Sequence, residues 1–108
     1  MPWIVELLDA RVRAELEALP TDMRARFRHI VELVQGYGLE LIHEPHLKHL
    51  EGPLWEMRMK GKDGISRAIY VTAKGRRVVV VRVFVKKTQK TPRREIDLAL
   101  ERAREVKS

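Results

Sequence analysis

The sequence predicts a single α+β domain spanning residues 1–108, with a helical hairpin packed on a small, mainly antiparallel sheet in the order β-α-α-β-β-β-α. Three observations lead there. From Val78 to Val85 (VVVVRVFV) every residue but Arg82 is β-branched or aromatic, as a strand buried on both faces requires. Apolar residues recur at helical spacing between Val12 and Val34. Two short turns, Lys60-Gly61-Lys62-Asp63-Gly64 and Ala73-Lys74-Gly75, join three strand-like runs into an antiparallel meander. A chain of 108 residues buries about two-thirds of the surface it exposes when unfolded, so it folds without staples.

Taken in order, Trp3 to Leu8 (WIVELL) reads as a short strand broken only by Glu6. Asp9 is placed to cap a helix carrying Val12, Leu16 and Leu19, which Pro20 stops. Thr21 is expected to cap the next helix, whose stripe is Met23, Phe27, Ile30, Val31 and Val34, with Gly36 and Gly38 ending it. That stripe must cover the later strands. Residues 39–53 read as a connection holding His43, His46 and His49. Pro45 interrupts any helix that would align them, so no metal site is expected, and His49 is retained only as a titratable neighbour of the strand that starts at Leu54. Leu54 to Lys60 alternates, with Trp55, Met57 and Met59 expected in the core and Glu56, Arg58 and Lys60 on the other face. Ser66 to Thr72 returns, placing Arg67 and Tyr70 on opposite faces, with Tyr70 structural. In the third strand, period two puts Arg82 with Val78, Val80 and Phe84 on a face that is core at one end and a basic cleft at the other. Thr91 and Pro92 are expected to cap and start the last helix, striped by Ile96, Ala99, Leu100 and Ala103.

Charge is unevenly distributed. Nine Lys or Arg and no acid lie between Lys74 and Arg94, while the rest of the chain holds the other 13 basic and all 15 acidic residues. The excess of +7 thus belongs to one window, the footprint of a polyanion or acidic partner, or of an edge strand kept from pairing. Without cysteine there is neither a disulfide nor a thiolate metal site. No apolar run approaches the roughly 20 residues of a membrane span and no signal-peptide pattern is seen, so a cytoplasmic protein is expected. Arg58, Arg67, Arg82, Lys86 and Lys87 come from three adjacent strands; cations so placed repel one another unless an anion, best a phosphate, lies among them.

The segments Leu50-x-Gly52-x-Leu54-Trp55-Glu56-Met57-Arg58, Ser66-Arg67-Ala68-Ile69-Tyr70 and Phe84-Val85-Lys86-Lys87-Thr88-Gln89-Lys90-Thr91-Pro92 resemble, in order and spacing, the RelE/ParE toxin superfamily and its HigB-like, phage-derived branch. The resemblance covers nearly the whole chain. It implies a toxin of a type II toxin–antitoxin pair, a ribosome-dependent and metal-independent endoribonuclease needing no cofactor. In such enzymes the 2′-hydroxyl of messenger RNA attacks the adjacent phosphate. It further implies Arg67 as the grip on the scissile phosphate and Lys86 and Lys87 as stabilisers of the transition state, one of them an acid. Arg58 matches a basic position, and Glu56 is left as base or as the residue orienting Arg58. Arg82, Lys90, Arg76, Arg77 and Lys48 are expected to contact RNA. The implied partners are a HigA-like, helix-turn-helix antitoxin and mRNA on the ribosome. Some members carry a tyrosine or histidine in the C-terminal segment; this chain has neither after Tyr70, which leaves the base open. The competing readings are a ParE-like inhibitor of DNA gyrase that cuts nothing and a nucleic-acid-binding module without catalysis.

Overall fold

The computed structural model describes residues 2–42, 46–86 and 90–107. Its elements are β1 (Ile4–Leu7), α1 (Ala10–Glu17), α2 (Thr21–Tyr37), a 3-10 turn (Leu39–Leu41), β2 (Leu47–Glu51), β3 (Leu54–Gly61), β4 (Gly64–Ala73), β5 (Arg77–Lys86) and α3 (Arg93–Ala103). The expected order holds, with one addition. Residues Leu47–Glu51, read as connection, form a further strand antiparallel to β3. Leu47 and Leu50 are too few apolar positions to announce a strand, and its second face carries Lys48. The sheet runs β1-β5-β4-β3-β2, with β1 parallel to β5 and every other pair antiparallel.

Each face of the sheet buries its own core. The hairpin α1–α2 lays Val12, Met23, Phe27, Ile30 and Val34 against Met57, Met59, Ala68 and Tyr70. Helix α3 brings Ala99, Ile96 and Leu100 to Leu54, Ile69, Val71, Val79 and Val81. Asp9 caps α1 as expected, its carboxylate accepting from the Arg11 and Val12 amides. Thr21 does not cap α2, where the cap position is Pro20 and no side chain accepts. Gly38, at φ 93°, ends α2 in a conformation that favours glycine. Gly61 is required for another reason: a Cβ there would lie 2.7 Å from the Met23 side chain, where α2 meets the β3–β4 turn.

Simple alternation fails along β5. The register with β4 shifts between Ile69 and Tyr70, which pair with Arg82 and Val80, leaving Val81 as an extra residue. Such a bulge re-aims the strand beyond it. Val78, Val80 and Val83 therefore face the helical hairpin, while Val79, Val81 and Phe84 face α3. Arg82 goes with the second set, its guanidinium 5.7 Å from the Phe84 ring centre. This corrects the face assigned to it from period two.

Trp55 is also not the core residue expected. It is 41% exposed, because the hairpin covers Met57 and Met59 but stops short of it. Its ring rests against His49, with centroids 4.9 Å apart.

Candidate active site

Beyond the part of the sheet covered by α3, three strands and the entry to that helix build one polar cluster. Arg58 on β3 stands opposite Arg67 on β4, which stands opposite Phe84; Lys86 on β5 stands opposite Ile65. Residues directly opposite have Cβ atoms about 5 Å apart, so Arg58, Arg67 and Lys86 share one face within side-chain reach. Glu56 is at the centre, only 1% exposed. Its Oε1 accepts from Arg67 Nη1 and, at 3.2 Å, from Arg58 Nε. Its Oε2 accepts from the Thr91 hydroxyl at 2.8 Å.

Thr91 is the site residue that sequence reading missed. Expected as a helix cap, it leaves the cap position to Pro92 and turns its hydroxyl inward. No local pattern distinguishes a threonine that caps from one that reaches a carboxylate on another strand.

Glu56, already accepting three donors, holds the two arginines in place and has little capacity left to take a proton from substrate. Arg67 is 2% exposed and bound to Glu56. Of the two arginines it is the inner one, while the Arg58 side chain is 28% exposed and reaches the surface. Lys86 is 5% exposed, and its Nζ has no hydrogen-bond partner among the described residues. Burial first, and then the Arg67 guanidinium, push its amine down to about 8, with Glu56 acting in the opposite direction. Three basic side chains thus surround one carboxylate, and Lys48 and Lys90 line the adjoining cleft. Lys87 lies outside the described residues.

The remaining expected RNA contacts are elsewhere. Arg82 is held by Glu15 and Glu95 at 2.8 and 2.7 Å. Glu15 also accepts from Arg102 and from the Val83 amide, and Arg102 donates to the Val81 carbonyl, which closes the β5 edge beyond the end of β1. Arg76 and Arg77 are at the other end of β5 from Lys86, about 30 Å away by strand rise. Arg77 there pairs with Glu6 and donates to the Lys107 carbonyl. Arg93 is bound by Glu51 and Asp97. The basic window of the sequence is therefore spread along the length of the sheet; among its described members, Lys86 joins the cluster around Glu56 and Lys90 lines the adjoining cleft. Tyr70 faces the hairpin core, as expected, and burial pushes its hydroxyl up. His49 Nε2 donates to the Gly52 carbonyl at 2.9 Å, and its ring lies beside Trp55.

The family model for the phage-derived protein, Gp49-like (DUF891), matches residues 14–104. The chain belongs to this Gp49-like family. The match runs from the middle of α1 through α3 and includes every described residue of the cleft, as the RelE/HigB-type resemblance led one to expect. No match was found among curated protein sequences. The fold of the Gp49-like chain is similar to that of RelE in the archaeal RelE–RelB complex from Pyrococcus horikoshii. The TM-score is 0.61 at 20% identity, covering 79% of this chain and 96% of that one. The expected RelE-like α+β architecture is thus the one observed. Among the described residues, no helix is long and apolar enough to cross a membrane.

Proposed function

We propose that the protein is the toxin of a toxin–antitoxin pair and an endoribonuclease acting on mRNA in the ribosomal decoding site. The observation that carries this reading is the Lys86 amine, buried beside two arginines and without a hydrogen-bond partner among the described residues. A cation so placed is costly for stability, since the carboxylate near it is already bound by two arginines. An RNA phosphate in the cleft would supply a counter-charge.

In the reaction, the 2′-hydroxyl gives up its proton to water, its oxygen bonds to the adjacent phosphorus to form a 2′,3′-cyclic phosphate, and the bond from phosphorus to the 5′-oxygen breaks. Arg58, partly exposed and oriented by Glu56, grips the phosphate and offsets charge on its oxygens. Lys86 is mostly protonated at neutral pH and a far stronger acid than an ordinary lysine, so it donates to the leaving 5′-oxygen. Arg67 is a positioning residue, which fixes Glu56 and keeps the Lys86 proton loosely held. Lys48 and Lys90 guide the flanking backbone, and Lys87 follows Lys86 into the same segment of chain. RelE crystallised in complex with RelB, and by analogy an antitoxin neutralises this protein; the motif resemblance points to a HigA-like one.

Induction of the wild type, Lys86→Ala and Arg58→Ala, followed by 5′-end mapping of transcripts, tests the proposal. Transcript breakage and growth arrest in the wild type, lost in both folded variants, are expected. DNA damage without transcript breakage would point instead to a gyrase inhibitor.

A further inference from the structure

Strand β2 is an edge of the sheet with different chemistry on its two sides. On the hairpin side lies a groove of about 630 Å³, lined chiefly by Leu39, Ile42, Leu47, Trp55 and Tyr70. On the other side lies the cationic cleft with Arg58 and Lys90. Lys48 and His49 border both. The Arg58 amide donates to the His46 carbonyl at 2.9 Å, and Leu47 stands opposite Met57. In an antiparallel pair the polar groups of alternate residues point the same way, so Leu47 and His49 turn their N–H and C=O outward. Among the described residues, no strand pairs with that outer edge. The bulge between His49 and Glu51 limits the free ladder to these residues.

We propose that this edge is the docking site for an extended segment of a protein partner, which adds a short strand beside β2 and alternates apolar with acidic side chains. Alternation at period two sends one set of side chains into the groove beside Trp55 and the other over Lys48, Arg58 and Lys90. The acidic set adds negative charge to a cleft where Lys48, Arg58 and Lys90 outnumber the carboxylate of Glu56, and the backbone of the segment satisfies Leu47 and His49. A single-stranded nucleic acid would answer the cations but has no peptide ladder to offer the edge. A second copy of this chain would bring a net charge of +7 against the same basic cleft. Docking here would close the cleft to RNA; that consequence rests on the nuclease reading above, whereas the docking itself does not.

The test uses the full chain carrying Trp3→Phe, so that Trp55 is the only tryptophan. The probes are a short synthetic peptide alternating glutamate with valine and leucine, and its scrambled isomer. The alternating peptide should bind at least about tenfold more tightly than the scrambled one, perturb Trp55 fluorescence and protect the Leu47 and His49 amides from hydrogen exchange. His49→Pro, which removes an outward N–H at an edge position that tolerates proline, should abolish binding, while His49→Ala should keep it. Should His49→Pro misfold, Lys48→Glu serves instead: it should weaken the acidic peptide and favour one alternating lysine with valine and leucine. Equal binding of the two isomers, or unprotected β2 amides, would overturn the proposal. So would an oligonucleotide that competes for Trp55 and protects those amides in the peptide's place. Binding is read without RNA, so a protein that bound the peptide but cut no transcript would refute the nuclease reading alone.

Discussion

Arg82 and Lys86 stand four residues apart on β5, yet each belongs to a differently balanced cluster. Around Arg82, two arginines face two glutamates: Glu15 and Glu95 hold Arg82, and Glu15 also holds Arg102. Around Lys86, among the described residues, three basic groups share the carboxylate of Glu56, and the lysine amine has no hydrogen-bond partner. The balanced cluster ties α1 and α3 to the sheet where β1 ends. The unbalanced one leaves positive charge in a cleft. Charge that cancels indicates architecture, and buried charge left over indicates a ligand.

The largest effect expected from breaking this contrast is at Glu56. Removing it leaves Arg67 buried without its carboxylate, so Glu56→Ala should cost about 3–5 kcal/mol in urea unfolding. Glu95→Gln leaves Glu15 on Arg82 and should cost less, about 1–3 kcal/mol. Equal losses would erase the distinction between the two clusters. Next comes Lys86→Met, which should reduce cleavage on the order of 10²–10³-fold in a protein that remains folded.

The same Lys86→Met variant should be more stable than the wild type at pH 7, by about 1–3 kcal/mol. The sign comes from linkage. The Lys86 amine titrates near 8 when folded and about 10.4 when unfolded. Between those values the unfolded chain binds more protons, so wild-type stability rises with pH. The cost of the buried ammonium is complete below about pH 8 and gone above about pH 10.4, and the variant's advantage should vanish with it. Unfolding at pH 7 and pH 10.5 checks this; an advantage unchanged across that interval would show that lost charge is not its source.

Much of the fold could be read from the chain because its signals are local: the valine run, the α2 stripe, Asp9 and the two turns. What escaped depends on neighbours. A bulge at Val81 reverses the faces beyond it, and nothing in VVVVRVFV marks the extra residue. Strand β2 exists because β3 offers it an edge. Trp55 reads as core by alternation, but burial depends on where α2 ends. The cleft was legible in part, since Arg58, Arg67 and Lys86 do converge with Glu56. The basic window misled because closeness in sequence along a ten-residue strand is distance in space.

Smaller effects sharpen the contrast. Trp55→Ala should cost only about 1–2 kcal/mol rather than the roughly 3–5 of a buried tryptophan, as thermal unfolding would show. Arg76, at φ 56° in the β4–β5 turn, occupies a conformation that suits glycine. Arg76→Gly should raise stability by up to about 1 kcal/mol and leave RNA cleavage unchanged, because that turn is remote from Lys86.

The most direct test of an unpaired Lys86 as the proton donor is the pH dependence of cleavage on mRNA-programmed ribosomes, for the wild type and for Lys86→Arg. The wild-type rate should fall as pH rises through about 8, and Lys86→Arg, which keeps the charge but holds its proton, should be slow with no such fall. A wild-type rate that stays level from pH 7 to pH 9, or a Lys86→Arg protein that cuts as fast as the wild type, would contradict it.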